Sequence, residues 1–446
     1  MTIDLPASPA RPLLTHLLRA ALTAVEAGHA VRRAVRKRGA LLTLGRRRYD
    51  LRRYDRIAVA GAGKAAAAMA RAVEDLLGSR LERGLVIVKY QHAAPRPDRI
   101  VIAEAGHPIP DASGVRATRR LLKLAASLSP RDLLIVLLSG GASSLMPAPV
   151  PGVSLKDKQR VTELLLTCGA DIVEINSVRK HLSLIKGGRL AQSTTASILA
   201  LILSDVPGDD VSAVGSGPTA PDPTTFGRAI ECLKRYRVWP QVPSSARRHL
   251  LRGKGGHVIE TPKPRASLFR RVDHHVIGNN RLAVAAAADA ARTAGIAVSI
   301  DPRMLSGEAS RAGRAFAALA RAIVDRDRPL PRPCCVIAGG ETTVTVRGNG
   351  RGGRAQEFAL AAAKVIAGLK NTWIMAVGTD GTDGPTDVAG AVVDGQTAGR
   401  AARLGIDLDE ALEENNTYPV LKKLRAHVRT GPTRTNVNDL YLLLVL

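Results

Sequence analysis

The most constraining feature of this sequence is a junction that recurs along it. A short aliphatic run ends in a loop of Gly, Ser, Thr or Asp: RIAVAGAGKAA (56–66), DLLIVLLSGGASS (132–144), SILALILSDVPGDD (197–210), CVIAGGETT (335–343) and WIMAVGTDGTDGPTD (373–387). Runs of this kind, with no polar alternation, read as strands buried on both faces, as in parallel sheets covered by helices. GLVIVKY (84–90) is another, and stretches with helical spacing lie between them, such as GVRATRRLLKLAASL (114–128). The pattern predicts an α/β fold. It also says where to look for function, because ligands of such sheets bind outside the carboxyl ends of the strands.

At 446 residues the chain is too long for one ordinary core and predicts two domains. The Pro-, Arg-, Gly- and Lys-rich stretch 239–271 reads as a linker, giving an N-terminal domain over 1–260 and a C-terminal one over 270–446. Leucine spacing predicts one amphipathic helix over 12–38, and 156–191 reads as helix broken near Asn176 and Gly187. Residues 334–346 read as a strand with a hairpin-like return, and NDLYLLLVL as a C-terminal strand.

Lys and Arg outnumber Asp and Glu by 65 to 39, a net charge of +26. The excess is spread out, densest over 32–56, and aromatics are only 3% of the chain. An arginine-rich surface explains this better than a nucleic-acid interface, which would interleave aromatics with the charge. The four cysteines show no CxxC or finger spacing, so a reducing cytoplasm is the expected setting. No apolar run reaches membrane-spanning length. Oligomeric state is not written in the residues, and a homodimer is compatible with them.

Several loops carry chemistry that a plain structural role explains less well. GAGKAA (61–66) places Gly61, Gly63 and Lys64 between strand and helix, where backbone amides and a cation suit an anion. It loosely fits a dinucleotide fingerprint, but the next strand ends in Lys89-Tyr90 rather than the acid that holds a nicotinamide ribose. SGGASS, with Ser139, Gly140, Gly141 and Ser143, reads as an oxyanion cradle or as a close-packing loop. VRKHLSLIKGGRL (178–190) offers Arg179, Lys180, Lys186 or Arg189 to an anion, or simply a solvated basic face. His107 and His181 read as structural or surface residues. Asp205 lies at a strand tip, where a carboxylate can accept a proton or hold Mg²⁺. Glu341 and Arg354 frame a glycine-rich basic loop. Asp380, Asp383 and Asp387 crowd one strand–loop junction, and Asp380 and Asp383 are expected to support a metal–phosphate site. There is no GxxxxGK[ST], HRD or DFG, which excludes P-loop enzymes and protein kinases. Phosphoryl transfer fits these loops better than hydride transfer.

The ordered series AGAGKAA, GHPIPDASG, LSGGASSLMPAP, INSVRKHLSLIKGGRLA, LSDVPGDDVSAVGSGPTAPDPTTF, GGETTVTVRGNGRGGRAQEFAL, GTDGTDGPTDVAGAVVDG and GPTRTNVNDLYLLLV resembles the glycerate 2-kinase family with a C-terminal MOFRL domain. The resemblance covers about 12–446. It implies a Rossmann-like N-terminal α/β/α domain, a smaller α/β C-terminal domain containing the MOFRL region near 332–440, and an active site in the interdomain cleft. It implies ATP-dependent phosphorylation of D-glycerate at the 2-hydroxyl, with Mg²⁺ or another divalent cation. Members are often labelled hydroxypyruvate reductases, which makes NAD(P)H-dependent reduction the rival activity. Carried over by motif, Lys64, Asp205 and Arg354 are the expected catalytic group, and Asn436 joins the loop residues as a substrate or nucleotide contact. Two positions depart from the family pattern: Arg434 replaces a glycine in GPTRTNVND, and Ala355 replaces an asparagine in GGRAQE.

Overall fold

The computed structural model describes residues 2–446. The chain forms two compact units, Ala27–Ile277 and Met1–Glu26 together with Gly278–Leu446. The expected division at 260–270 is therefore displaced, and the first helix belongs with the C-terminal half.

Ala27–Ile277 opens with a helix, Ala27–Ala34, and an antiparallel meander of β1 (Val35–Arg38), β2 (Leu41–Leu44) and β3 (Arg47–Asp50). The single helix expected over 12–38 thus ends at Val25 and gives way to strand at Val35. Gly39 and Gly45, both at positive φ, make the tight turns of the meander. The main sheet contains β4 (Ile57–Ala62), β5 (Arg83–Lys89), β6 (Ile100–Ala105), β7 (Leu133–Leu138), β8 (Ser197–Leu203) and β9 (Val272–Gly278), in the order β6-β5-β4-β7-β8-β9. Strands β4 to β8 pair in parallel. Every residue of β4 and β7 is buried, as their unbroken apolar runs predict. From β4 the chain moves outward through β5 and β6, then returns to β7 on the other side. The strand order reverses between β4 and β7, the place where doubly wound sheets bind ligands.

The stretch expected as a linker is an integral part of this unit. It contains the helix Ser244–Lys254. Arg271 donates to the carbonyls of Ala191, Thr194 and Ala196, and Thr261 Oγ1 donates to buried Asp222. The break expected near Asn176 falls earlier, between the helices Leu155–Thr167 and Ile172–His181.

In the other unit, β10 (Ala297–Ile300), β11 (Leu305–Glu308), β12 (Cys334–Thr343), β13 (Thr372–Gly378), β14 (Gly390–Asp394), β15 (His427–Val428) and β16 (Asp439–Val445) form a mixed sheet. Its order is β10-β12-β16-β13-β14-β15, with β11 also on β12. The C-terminal strand β16 is central, wholly buried and antiparallel to both β12 and β13. No hairpin follows β12; residues 344–353 are loop. The helix Arg11–Val25 packs on Asn280–Thr293, and Thr435 Oγ1 donates to Val25 O at 2.5 Å. These contacts explain why the N-terminal helix belongs here. No helix among the described residues is long and apolar enough to cross a membrane.

Candidate active site

The carboxyl ends of β4 and β7 carry the two glycine loops, and only glycine lets them meet. A Cβ on Gly61 would stand 2.2 Å from Leu137 O, and one on Gly63 2.1 Å from Ser139 Oγ. Gly63 N–H donates to Ile87 O (3.0 Å), Lys64 N–H to Gly140 O (2.9 Å) and Ala66 N–H to Gly63 O (3.2 Å). Ala65 N–H donates to Ser139 Oγ at 3.1 Å. These bonds revise the expectation for GAGKAA. The amides of residues 63–66 serve the protein itself, so this turn fixes the base of Lys64 and does not cradle an anion.

Open amides lie instead in the second loop. Among the described residues the N–H groups of Gly140, Gly141 and Ser143 find no acceptor. Gly141 has φ 86°, a left-handed conformation that turns successive amides toward one side. A Cβ there would stand 2.9 Å from His107 Cδ2 and 3.5 Å from Lys64 Cγ. Lys64, Gly141 and His107 thus share one small space, which the sequence pattern alone does not reveal for His107. Strand β8 lies beside β7 with Leu138 opposite Ile202. Asp205, three residues beyond Ile202, therefore stands at the same sheet edge, partly exposed.

Behind the SGGASS loop lies Lys186, 1% exposed. Its Nζ donates to Ser143 O (2.7 Å) and Ser143 Oγ (2.9 Å). The Ser143 hydroxyl also meets Ser216 Oγ at 3.0 Å, and Ser216 Oγ donates to Asn176 Oδ1 at 2.8 Å. Arg179 lies on the neighbouring helix Ile172–His181. His181 bridges Ser177 O and Glu260, in keeping with a structural histidine.

The second set of expected residues lies in the other unit. Arg354 opens the helix Arg354–Val365. Its Nε and Nη2 meet the two oxygens of Asp439 at 2.8 and 3.0 Å, and Nη1 donates to Glu341 Oε1 at 2.8 Å. Glu341 is on β12 and Asp439 starts β16, strands that pair with Gly340 opposite Asp439. The register delivers both acids to one guanidinium. Burial raises the Asp439 carboxyl to about 7 even with Arg354 beside it holding it down. Asp439 is a residue that the sequence reading passed over; an acid at the head of a wholly apolar strand was the available signal. Asn436, half-buried, makes no side-chain hydrogen bond among the described residues.

The acidic loop has structural duties. Asp383 is 3% exposed, and its carboxylate accepts from Ala355 N (3.0 Å), Gln356 N (2.9 Å) and Gln356 Nε2 (2.9 Å). It caps the helix that Arg354 opens, where the N-cap position is a glycine with no side chain. A Cβ on Gly353 would stand 2.4 Å from the Asp383 carboxylate. Asp380 accepts from Thr382 N at 3.0 Å in an Asx turn, and Asp387 accepts from Tyr418 Oη at 2.6 Å. Among the described residues no group of three or more His, Cys, Asp or Glu is arranged to hold a metal ion. Capping engages both oxygens of Asp383, which makes this acid part of the helix start; the expectation of a metal role for Asp380 rests on the sequence pattern alone.

Residues 13–251 match the family model described as a domain of unknown function, DUF4147, and residues 334–439 match the MOFRL family. The D-glycerate 2-kinase of Thermotoga maritima is 43% identical over 393 residues, covering 88% of this chain and 91% of that protein. A protein of Agrobacterium vitis named as a candidate hydroxypyruvate reductase is 41% identical, covering 87% of each. A crystal structure of glycerate kinase from Thermotoga maritima superposes with a TM-score of 0.85 at 40% identity, covering 98% of this chain and 99% of that one.

Proposed function

This chain belongs to the glycerate 2-kinase family, and from that premise we propose that it transfers the γ-phosphoryl group of ATP to the 2-hydroxyl of D-glycerate, giving 2-phospho-D-glycerate and ADP. The observation that carries the reading is the SGGASS loop. Its open amides at Gly140, Gly141 and Ser143 stand at the reversal of the sheet, beside a lysine whose turn is locked in place. Such a loop suits the oxygens of a phosphoryl group, whose charge spreads during transfer.

Lys64 would neutralise that charge. Asp205 would orient the 2-hydroxyl and take its proton as the oxygen attacks phosphorus and the bond to ADP breaks. Arg354, held on two sides by Asp439 and Glu341, keeps N–H groups beyond those bonds that would suit an anionic oxygen of a substrate. The divalent cation enters with the nucleotide as part of the substrate, the usual manner for Mg²⁺. A cytoplasmic setting suits the four cysteines, all free thiols. The hydroxypyruvate-reductase reading gains no such support, since β5 ends in Lys89 and the Tyr90 hydroxyl donates to Asp111.

The deciding experiment offers the purified protein D-glycerate, ATP and Mg²⁺ in one arm, and hydroxypyruvate with NAD(P)H in the other. The expected result is 2-phosphoglycerate in the first and no NAD(P)H oxidation in the second; the reverse would overturn the assignment. Lys64→Ala should lower turnover by about 100-fold or more, the scale for one lost electrostatic contact to the transition state. Its melting temperature should stay near that of the parent.

A further inference from the structure

Three cations in Ala27–Ile277 have no acid to answer them. Lys158 is 6% exposed and Lys186 1% exposed, and half-buried Arg179 lies within electrostatic reach of both. None of the three forms an ion pair among the described residues, whereas their neighbour Lys180 pairs with Asp222 at 3.3 Å. Lysines are rarely buried this deeply without a counter-charge. Lys186 uses its donors on Ser143 O, Ser143 Oγ and, at 3.5 Å, Gly215 O. Lys158 makes one long bond, to Leu182 O at 3.4 Å. The Arg179 guanidinium makes no hydrogen bond among the described residues. Burial, helped by the charge of Arg179, lowers Lys158 to about 7, and burial with Lys158 and Arg179 nearby holds Lys186 well below the usual lysine range. The cluster is built for an anion the chain does not supply.

The geometry points to Lys158, Arg179 and Lys186 as the seat of the substrate's carboxylate, with the Arg179 fork meeting its two oxygens; this rests on the kinase reading above. Two arguments favour a carboxylate over a nucleotide phosphate. The first is desolvation: with Lys158 6% and Lys186 1% exposed, an anion reaching them must shed its water, and a single carboxylate charge does so at lower cost than a polyanionic phosphate chain. The second argument is connectivity. In a 2-hydroxy acid the carboxylate sits on the carbon next to the reacting hydroxyl, so its seat must adjoin the phosphoryl site. Ser143 provides that adjacency: its amide is open in the SGGASS loop, and its carbonyl and hydroxyl are held by Lys186. Lys186 then supplies field and rigidity, while Arg179 and Lys158 supply contacts. Lys158 has no sequence signal, since it lies in a helix that reads as ordinary polar surface.

The test varies each substrate in turn. Arg179→Gln should raise KM for D-glycerate by about tenfold or more, the scale of a lost charge-assisted hydrogen bond, and leave KM for ATP nearly unchanged. A larger rise for ATP, or no rise for glycerate, overturns the seat. Thermal shift in saturating ADP gives a second readout, with D-glycerate, glycerol and inorganic phosphate as probes. Glycerate should raise the melting temperature of the parent and not of Arg179→Gln, and glycerol should raise neither. No glycerate shift in the parent, an equal shift in the variant, or an Arg179-dependent phosphate shift as large as that of glycerate would overturn it. Lys158→Met should melt higher than the parent without ligand and lose most of the glycerate shift; a lower melting temperature would mark Lys158 as structural and overturn its place in the seat. If no protein phosphorylates glycerate yet the shift persists and depends on Arg179, the seat stands and the kinase reading falls.

Discussion

Arg434 sits at φ 60° with its side chain exposed. A non-glycine residue there carries strain of about 1 kcal/mol or somewhat more, which explains why the family pattern has glycine. Arg434→Gly should relieve that strain against an unfolded-chain entropy cost of about 0.5–1 kcal/mol. The expected net is a gain of up to about 1 kcal/mol in urea denaturation, with KM for D-glycerate unchanged. A KM that moves would place Arg434 at the substrate. Lys158 gives a pH prediction at the same scale. Its folded pKa, about 7, lies below its ordinary value. The charged form is therefore penalised in the folded state, fully below pH 7, and the penalty fades as pH rises toward the ordinary lysine value. Lys158→Met should exceed the parent in stability by an amount on the order of a few kcal/mol at pH 6, and by much less at pH 9–10. Urea midpoints at the two pH values check it, and a gap that widens with pH would refute the assignment of the penalty to this lysine.

Elements differ in how much of them the residues announce. Strands β4, β7 and β8 are legible because both faces are buried and every position is apolar or small, and β5 because the same holds between its terminal Arg83 and Lys89. The meander β1–β3 is not, because VRKR and RRYD present exposed arginines with no apolar alternation. The central place of β16 is equally hidden, since its partners β12 and β13 are chosen by distant packing and not by local pattern. The acidic loop 378–387 shows the same limit for a site. Its clustered carboxylates suggest a metal, yet what decides the role of Asp383 is a helix start beginning at Arg354, far away in sequence. Asp383→Ala would leave two helix amides unpaired and take from Gln356 Nε2 its shortest acceptor, leaving it Thr386 Oγ1 at 3.3 Å. It should cost about 2–4 kcal/mol in denaturation and lower kcat by loosening the helix turn that carries Arg354. The Mg²⁺ concentration for half-maximal rate should not change; a large increase would restore Asp383 as a metal ligand.

At the scale of the whole molecule, the sequence shows two α/β units but misplaces their seam. The Pro- and Arg-rich stretch 239–271 has a linker's composition, but Arg271 donates to three carbonyls of buried residues and Thr261 to the buried carboxylate of Asp222. Leucine spacing in 12–25 reveals a helix without revealing which core receives it. The net charge of +26 was legible, and it has consequences of opposite sign. Most ion pairs here are solvent-exposed, such as Arg131–Asp55 and Arg292–Asp289. Exposed pairs contribute only about 0–1 kcal/mol each and weaken with salt. The unmatched cations repel one another, and salt screens that as well, over a Debye length of about 30 Å at 0.01 M and 8 Å at 0.15 M. With 65 cations against 39 anions, repulsion outweighs pairing. The urea midpoint should therefore rise between 10 and about 150 mM NaCl. Over the same range kcat/KM for D-glycerate should fall, because the positive field that destabilises the fold also gathers anionic substrates. If the urea midpoint falls instead, surface pairing dominates. If kcat/KM stays flat, the charge is a surface property with no part in substrate capture.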